Sequence, residues 1–418
     1  MKVCRKGENM DVYIADAARS PIGKFLGSLS SFTAPKLGAE VVKNMLSRIN
    51  VKKDSVEELI AGNVLSSGLG QNPAKQVVVY AGLPNETPAY SVNMVCASGL
   101  KAVSLGSESI SSGNANVVIA GGMESMTNSP FVISDSTNLR SIRKMGNISL
   151  AEFLDAAKKK DVDTAEFRLV DEMINEGLWD CYYNLHMGSL AEQIGTDLDI
   201  SRKEQDEFAL ESHIKAAAAT DEGRFDKEII PITLPDGRIF RHDEGIRRDT
   251  NIEKLLSLKP AFEQNGTVTA GNSAQISDGA SFLALMSGPA IDAHKLKPLA
   301  KIEAYAEVGS DPREYGLAPI SAIKKVLDKA GMEIDEMDII EINEAFCVQT
   351  LGVAKEMGID TKKLNINGGA TALGHPIGAS GARILTTLVH ALNYHNKKIG
   401  LAALCHGGGG AFAMIVKR

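Results

Sequence analysis

The chain has 418 residues, 44% of them apolar and 23% charged, with 39 glycines, 21 aromatic residues and a formal net charge of −7. Such a composition is globular, too long for one ordinary core, and lacks the basic footprint of a nucleic-acid-binding protein. No apolar run approaches the ~18 residues of a membrane span, no signal peptide is visible, and five scattered cysteines, at 4, 96, 181, 347 and 405, fit neither a disulfide framework nor a zinc site. A reducing, cytoplasmic setting is therefore expected, with no metal and no cofactor.

From residue 11 the pattern alternates strand and helix. Asp11–Ala15 reads as a strand, and residues 34–49 put Leu37, Val41, Met45 and Ile49 on one helical face. A strand at Leu59–Leu65, a helix at Pro73–Ala81, a short strand at Ala89–Asn93 and a helix at Ser98–Ser112 lead to the apolar strand Val117–Ala120. The order is β-α-β-α-β-α-β. A long stretch follows, with helices expected at Ser189–Thr196 and Lys203–Thr220, and the strand Ser281–Met286 closes it.

The end of the chain repeats this order. Strand Leu299–Val308, helix Ile320–Ala330 with Gly331 as its stop, strand Asp338–Ile342 and helix Phe346–Met357 come first. Strand Leu364–Ile366, helix Ser380–Tyr394 and strands Gly400–Leu404 and Ala411–Val416 complete it. Ala97-Ser98-Gly99 and Ala379-Ser380-Gly381 open the equivalent third helices. A duplication is the better reading. Its first copy, 1–125 plus 277–297, is interrupted by an inserted loop domain at 126–276, and its second copy is 298–418.

The chemistry-bearing residues sit at strand ends. Cys96 lies between a strand and a helix N-terminus, a position that suits a nucleophilic thiolate and equally a small core cysteine. His375 follows the equivalent strand of the second copy, so a pseudo-dyad would bring thiol and imidazole together for nucleophilic catalysis. Cys405 ends a strand before Gly407–Gly410, a run that makes a tight turn or leaves N–H groups free for an oxyanion. Asn343, after strand Asp338–Ile342, is either a helix cap or a group that orients a water or an imidazole.

With Ala18-Arg19-Ser20-Pro21-Ile22-Gly23, Gly68-Leu69-Gly70-Gln71-Asn72-Pro73, Cys96-Ala97-Ser98-Gly99, Gly121-Gly122-Met123-Glu124-Ser125-Met126, His186-Met187-Gly188, Gly266 to Asn272, Asn343-Glu344-Ala345-Phe346, Gly374-His375-Pro376 and Cys405-x-Gly407-Gly408 in order, the chain resembles the thiolase family over essentially its whole length. The resemblance implies an α/β thiolase fold, with duplicated β-α-β-α-β-α-β-β halves in five αβαβα layers and an inserted loop domain. It also implies an acyltransferase that condenses two acetyl-CoA to acetoacetyl-CoA and CoA, or runs the reverse thiolysis, through an acetyl-Cys96 intermediate. Cys96 is then the nucleophile, His375 its activator, and Cys405 the acid/base. Cys96 and Gly407 N–H groups form one oxyanion hole, and His375 with an Asn343-held water forms the other. His186, Met187, Arg247, Phe262, Phe346 and Ser273 are expected to contact CoA or the acyl group. A homotetramer or homodimer is implied.

Some residues depart from the family pattern. Ser273-Ala274-Gln275 stands where the family usually reads Ala-Ser-Gly, residues 147–167 look like an insertion, and residues 1–9 precede the usual start. His406 next to Cys405 is expected to alter its basicity. Cys96 and Cys405 are expected close enough to form a disulfide on oxidation. Competing readings are a 3-ketoacyl-CoA thiolase of broader chain length, a non-catalytic acyl-CoA or lipid-binding relative, and a ketosynthase. The last would need a second His where this chain has Cys405.

Overall fold

The structure, a computed structural model, describes residues 10–134, 149–160 and 167–418. Residues 1–9 and parts of the 147–167 insertion lie outside these. The first copy runs β1 (Val12–Arg19), β2 (Gly23–Lys24), α1 (Ala34–Arg48), β3 (Glu58–Gly62), α2 (Pro73–Ala81), β4 (Ala89–Val92), α3 (Ser98–Ser111) and β5 (Val117–Ser125). Among the described residues, the central stretch holds three two-stranded ribbons: β6 (Phe131–Ser134) with β7 (Arg168–Asp171), β8 (Trp179–Asp180) with β9 (Leu185–His186), and β10 (Ile232–Thr233) with β11 (Ile239–Phe240). Its helices are α4 (Leu150–Lys159), α5 (Met187–Asp197), α6 (Arg202–Asp221) and α7 (Ile252–Leu256). Then come β12 (Ser277–Ser287), α8 (Gly288–His294), β13 (Ala300–Gly309), α9 (Ala318–Ala330), β14 (Ile339–Ile342), α10 (Cys347–Met357), α11 (Ala370–Leu373), α12 (Ile377–Tyr394), β15 (Ile399–His406) and β16 (Gly410–Lys417).

Strand pairing establishes the duplication. The first half is ordered β1-β12-β5-β3-β4 and the second β13-β16-β15-β14. In each half the first two pairings are antiparallel and the next is parallel. Matching register shifts interrupt β1 between Ile14 and Asp16 and β13 between Ile302 and Ala304. The halves join through β1 and β13, which pair only at Tyr13↔Lys301 and Ile14↔Ala300. After the long central stretch β12 returns beside β5, as read from the sequence, and the structure places it between β1 and β5.

Side chains of successive strand residues point to opposite faces, and this sorts the cores. Ile119 joins Leu37, Val41 and Met45 of α1 in an outer core, whereas its neighbour Val118 faces Leu100 of α3 and Leu385 of α12. A third core packs Ile323 and Val326 of α9 on Ile340 and Leu401. The layers are thus α1 and α2, a half-sheet, α3 with α12, the other half-sheet, and α9 with α10. Among the described residues, no helix is long and apolar enough to cross a membrane.

One expected strand is absent. Leu364–Ile366 makes a single bridge, Ile340↔Leu364. Asn365 adopts a left-handed φ of 45°, and its side-chain amide accepts from Ile342 N and donates to Ile342 O, each at 2.9 Å. Side-chain bonds there replace the ladder that a strand would supply.

The middle layer is close-packed through glycine. A Cβ at Gly62 would stand 2.7 Å from the Gly378 carbonyl oxygen, and one at Gly122 would overlap that oxygen outright. Gly122→Ala is expected to destabilise the fold by about 3 kcal/mol, the usual cost of overpacking a rigid core. Urea unfolding at unchanged m-value checks it.

Candidate active site

Local geometry presents Cys96 before it meets any partner. Val95 holds a left-handed φ of 45°, a costly conformation for a β-branched residue. Ser98 pins this turn: its hydroxyl accepts from Met94 N at 2.8 Å and donates to Val95 O at 2.6 Å. The Cys96 side chain thus emerges just ahead of α3. Ser380 plays the equivalent part in the second half, donating to Pro376 O at 2.9 Å.

The two turns meet across the middle layer. His375 Nε2 lies 3.3 Å from Cys96 Sγ, and His375 Nδ1 lies 2.6 Å from Ser380 Oγ. Because the Ser380 hydroxyl spends its proton on Pro376 O, it accepts from Nδ1–H. That assigns the tautomer, with the Nε2 lone pair facing the thiol. The N–H groups of Gly407 and of Cys96 itself point at the Cys96 sulfur and favour its thiolate, but burial outweighs them and pushes the thiol up to about 12. Burial, with the Arg383 charge second, holds His375 down to about 3. The resting pair is therefore a neutral thiol and a neutral imidazole.

Cys405, near the end of β15, is 1% exposed, and burial pushes its thiol up. Cys96 and Cys405 are both free thiols in one cavity of about 500 Å³. His375 and Gly407 share its lining. His406 does not meet the expectation placed on it. Strand alternation sends it to the other face of β15, where Nδ1 bonds Gly407 O at 2.8 Å and Glu307 is the neighbouring charge.

The cavity also gathers the residues expected to contact CoA. His186 and Phe262 stack with ring centroids 4.7 Å apart, and Phe262 meets Phe346 edge-on at 5.9 Å. Met187 and Ser273 complete that wall, although the Ser273 hydroxyl is engaged by Thr269 O at 2.7 Å. Arg247 lies exposed at the mouth, with Lys24 also on the rim. Gln275, at the position of the family glycine, ties Gly245 O and Thr371 O together at 2.9 and 3.0 Å.

Asn343 is the exception. It is fully buried and does not line the cavity; its Oδ1 faces Arg383 Nη2 at 3.4 Å, and its Nδ2 has no protein partner among the described residues. Sequence reasoning missed Ser380, Tyr315 and Lys24. Ser380 had a visible signal, the repeated Ala-Ser-Gly, which served only to align the two copies. Tyr315, buried with its hydroxyl on Met187 O at 2.9 Å, had none.

Known proteins match this arrangement end to end. The family models described as "Thiolase, N-terminal domain" and "Thiolase, C-terminal domain" match residues 12–289 and 296–418. Acetyl-CoA acetyltransferase of Chromobacterium violaceum is 46% identical over 98% of this chain and 100% of its own. The enzyme of the same name from Cupriavidus necator is 45% identical over 98% and 99%. Among solved structures, the Bacillus anthracis acetyl-CoA acetyltransferase superposes with a TM-score of 0.90 at 35% identity, covering 99% of this chain and 100% of its own. Human mitochondrial 3-ketoacyl-CoA thiolase in complex with CoA gives 0.89 at 36% identity, covering 98% of each. Two thiols and an imidazole in one cavity between duplicated halves, matched over nearly the whole length, place this chain in the thiolase family.

Proposed function

We propose that the protein is an acetyl-CoA C-acetyltransferase, an acyltransferase that joins two acetyl-CoA into acetoacetyl-CoA and CoA or runs the reverse thiolysis. The observation that carries this reading is the 3.3 Å contact of Cys96 Sγ with His375 Nε2, in the cavity that also holds Cys405. Residues 126–276 act as the CoA-binding loop domain between the halves 1–125 plus 277–297 and 298–418. The cations at the mouth suit the anionic nucleotide end of CoA, and the His186–Phe262–Phe346 wall suits its apolar arm.

The proton balance follows from the neutral resting pair. As Cys96 Sγ bonds to the thioester carbon, its proton passes to His375 Nε2, and Gly407 and Cys96 N–H groups hold the oxyanion. The C–S bond to CoA breaks, and the departing sulfur takes its proton from Cys405. That leaves acetyl-Cys96, imidazolium and a Cys405 thiolate. The thiolate removes an α-proton from a second acetyl-CoA, whose enolate oxygen is stabilised by His375; Asn343 stands behind the cavity wall and reaches that oxygen only through a water on its unpartnered Nδ2. The enolate carbon attacks the acetyl group, Cys96 sulfur leaves, and His375 returns its proton.

We place this chemistry in the cytoplasm, in the two-carbon steps of fatty acid metabolism, and in a homotetramer or homodimer. Support for assembly comes from the open edge at β4, where Tyr90 stands exposed with Val79 and Tyr80 of α2. A 3-ketoacyl-CoA thiolase of broader chain length is a second reading, favoured by the apolar lining residues Met126, Ile174, Leu178, Ile276 and Ile377.

Incubation with acetyl-CoA and peptide mass mapping is expected to find one acetyl group on Cys96 and none on Cys96→Ala; an unmodified Cys96 peptide would overturn the assignment. Acetoacetyl-CoA is expected to be cleaved faster than a long-chain 3-ketoacyl-CoA, and the reverse ranking favours the second reading. Since burial raises the Cys96 thiol to about 12, its thiolate fraction grows about tenfold per pH unit below that value. Iodoacetamide alkylation of Cys96 should therefore keep rising from pH 7 to about 10. A plateau near pH 6 would instead indicate a preformed thiolate–imidazolium pair.

A further inference from the structure

Helix α12 carries His375 just ahead of its first turn, yet its own N-cap residue, Pro376, offers no capping side chain. The cap comes from the other half of the molecule. Glu124, fully buried on β5, accepts from Gly378 N at 2.9 Å through Oε2. The same oxygen accepts from Val64 N at 3.1 Å, while Oε1 accepts from Asn63 Nδ2 at 2.7 Å and Leu65 N at 3.2 Å. Asn63 N in turn donates to Val92 O, the last residue of the strand that leads to Cys96. One carboxylate thus joins the strand ends behind Cys96 to the helix start behind His375. A helix N-terminus attracts negative charge and leaves N–H groups that need acceptors. Gly378 has room only for this: a Cβ there would stand 2.7 Å from Glu124 Oε2 and 2.9 Å from Met123 O.

We infer that Glu124 is a positioning residue that sets the separation of Cys96 and His375 by capping α12 across the interface between the halves. The inference rests on the thiolase reading only for its kinetic readout. Gln at 124 can preserve the clamp. Its carbonyl takes the Val64 and Gly378 N–H groups, and Asn63 can turn its amide so that Oδ1, which has no partner among the described residues, accepts from the new Nε2; the Leu65 N–H, which bonded Oε1 at 3.2 Å, loses its acceptor, but the bond that crosses between the halves is kept. Ala has no acceptor, and Asp is one methylene short of spanning both halves.

Glu124→Ala and Glu124→Asp are expected to lower kcat about 100-fold with little change in KM for acetyl-CoA, the scale of a misplacement near 1 Å. Glu124→Gln should recover most of that loss. Crystal structures of the variants should show the Sγ–Nε2 contact lengthened in Asp and Ala and kept in Gln. Alkylation of Cys96 by iodoacetamide should slow in step with that lengthening. If Ala fails to fold, the Asp and Gln pair carries the comparison. Unchanged kcat and distance in Asp, or a Gln variant as impaired as Asp, would overturn the inference. Failure of the unmodified protein to acetylate Cys96 would remove the proposed function, while the distance and alkylation comparisons would still read the clamp.

Discussion

The close approach of α12 to the first half governs everything else in the molecule. Gly62, Gly99 and Gly122 all face the first turn of that helix, and the Gly378 carbonyl oxygen lies where side chains on them would go. Backbone on backbone is the only packing this gap accepts, since an added carbon has nowhere to move in a close-packed interior. The result is a helix start held within reach of Cys96. Part of the glycine surplus, Gly62, Gly99, Gly122, Gly378 and Gly381, is therefore a consequence of bringing two halves together, while glycines such as Gly82 and Gly331 serve left-handed turns and helix ends.

That packing also decides the electrostatics. Burial around the two turns favours the neutral thiols and the neutral imidazole, although Cys96 itself is only partly buried. Burial makes charge expensive until a substrate supplies the counterpart, and it makes oriented N–H groups worth more when charge develops. Ser380 contributes by orientation, fixing which ring nitrogen faces the sulfur. The inserted stretch is anchored to the same scaffold by charge: Arg19 bonds Glu228 at 2.6 Å and Asp243 at 2.7 and 2.9 Å, all buried. Removing one partner of such a network leaves an uncompensated buried charge.

The legible parts of the sequence were those governed by local periodicity and by order. Helices such as Pro73–Ala81 matched because a proline start and a glycine stop are local signals. The duplication was legible because both copies keep one element order. Leu364–Ile366 was misread because its composition suits a strand, while Asn365 meets the neighbouring backbone with its side chain. His406 was misread because adjacency in sequence suggests adjacency in space, and a strand puts neighbours on opposite faces.

The sequence by itself determined the duplicated α/β order, the thiol of Cys96 and the imidazole of His375 just ahead of the equivalent helices α3 and α12, and the ordered motifs of the thiolase family. These depend on residue type and spacing along one chain. Only the tertiary structure decided that His375 presents Nε2 to Cys96, that Ser380 fixes its tautomer, and that Asn343 sits behind the cavity wall beside Arg383. It alone showed that Glu124 of one half caps the helix of the other. The contacts of His375 with Cys96 and of Glu124 with Gly378 join residues more than 250 positions apart, and no local pattern encodes which backbone N–H will find which acceptor until the halves have packed.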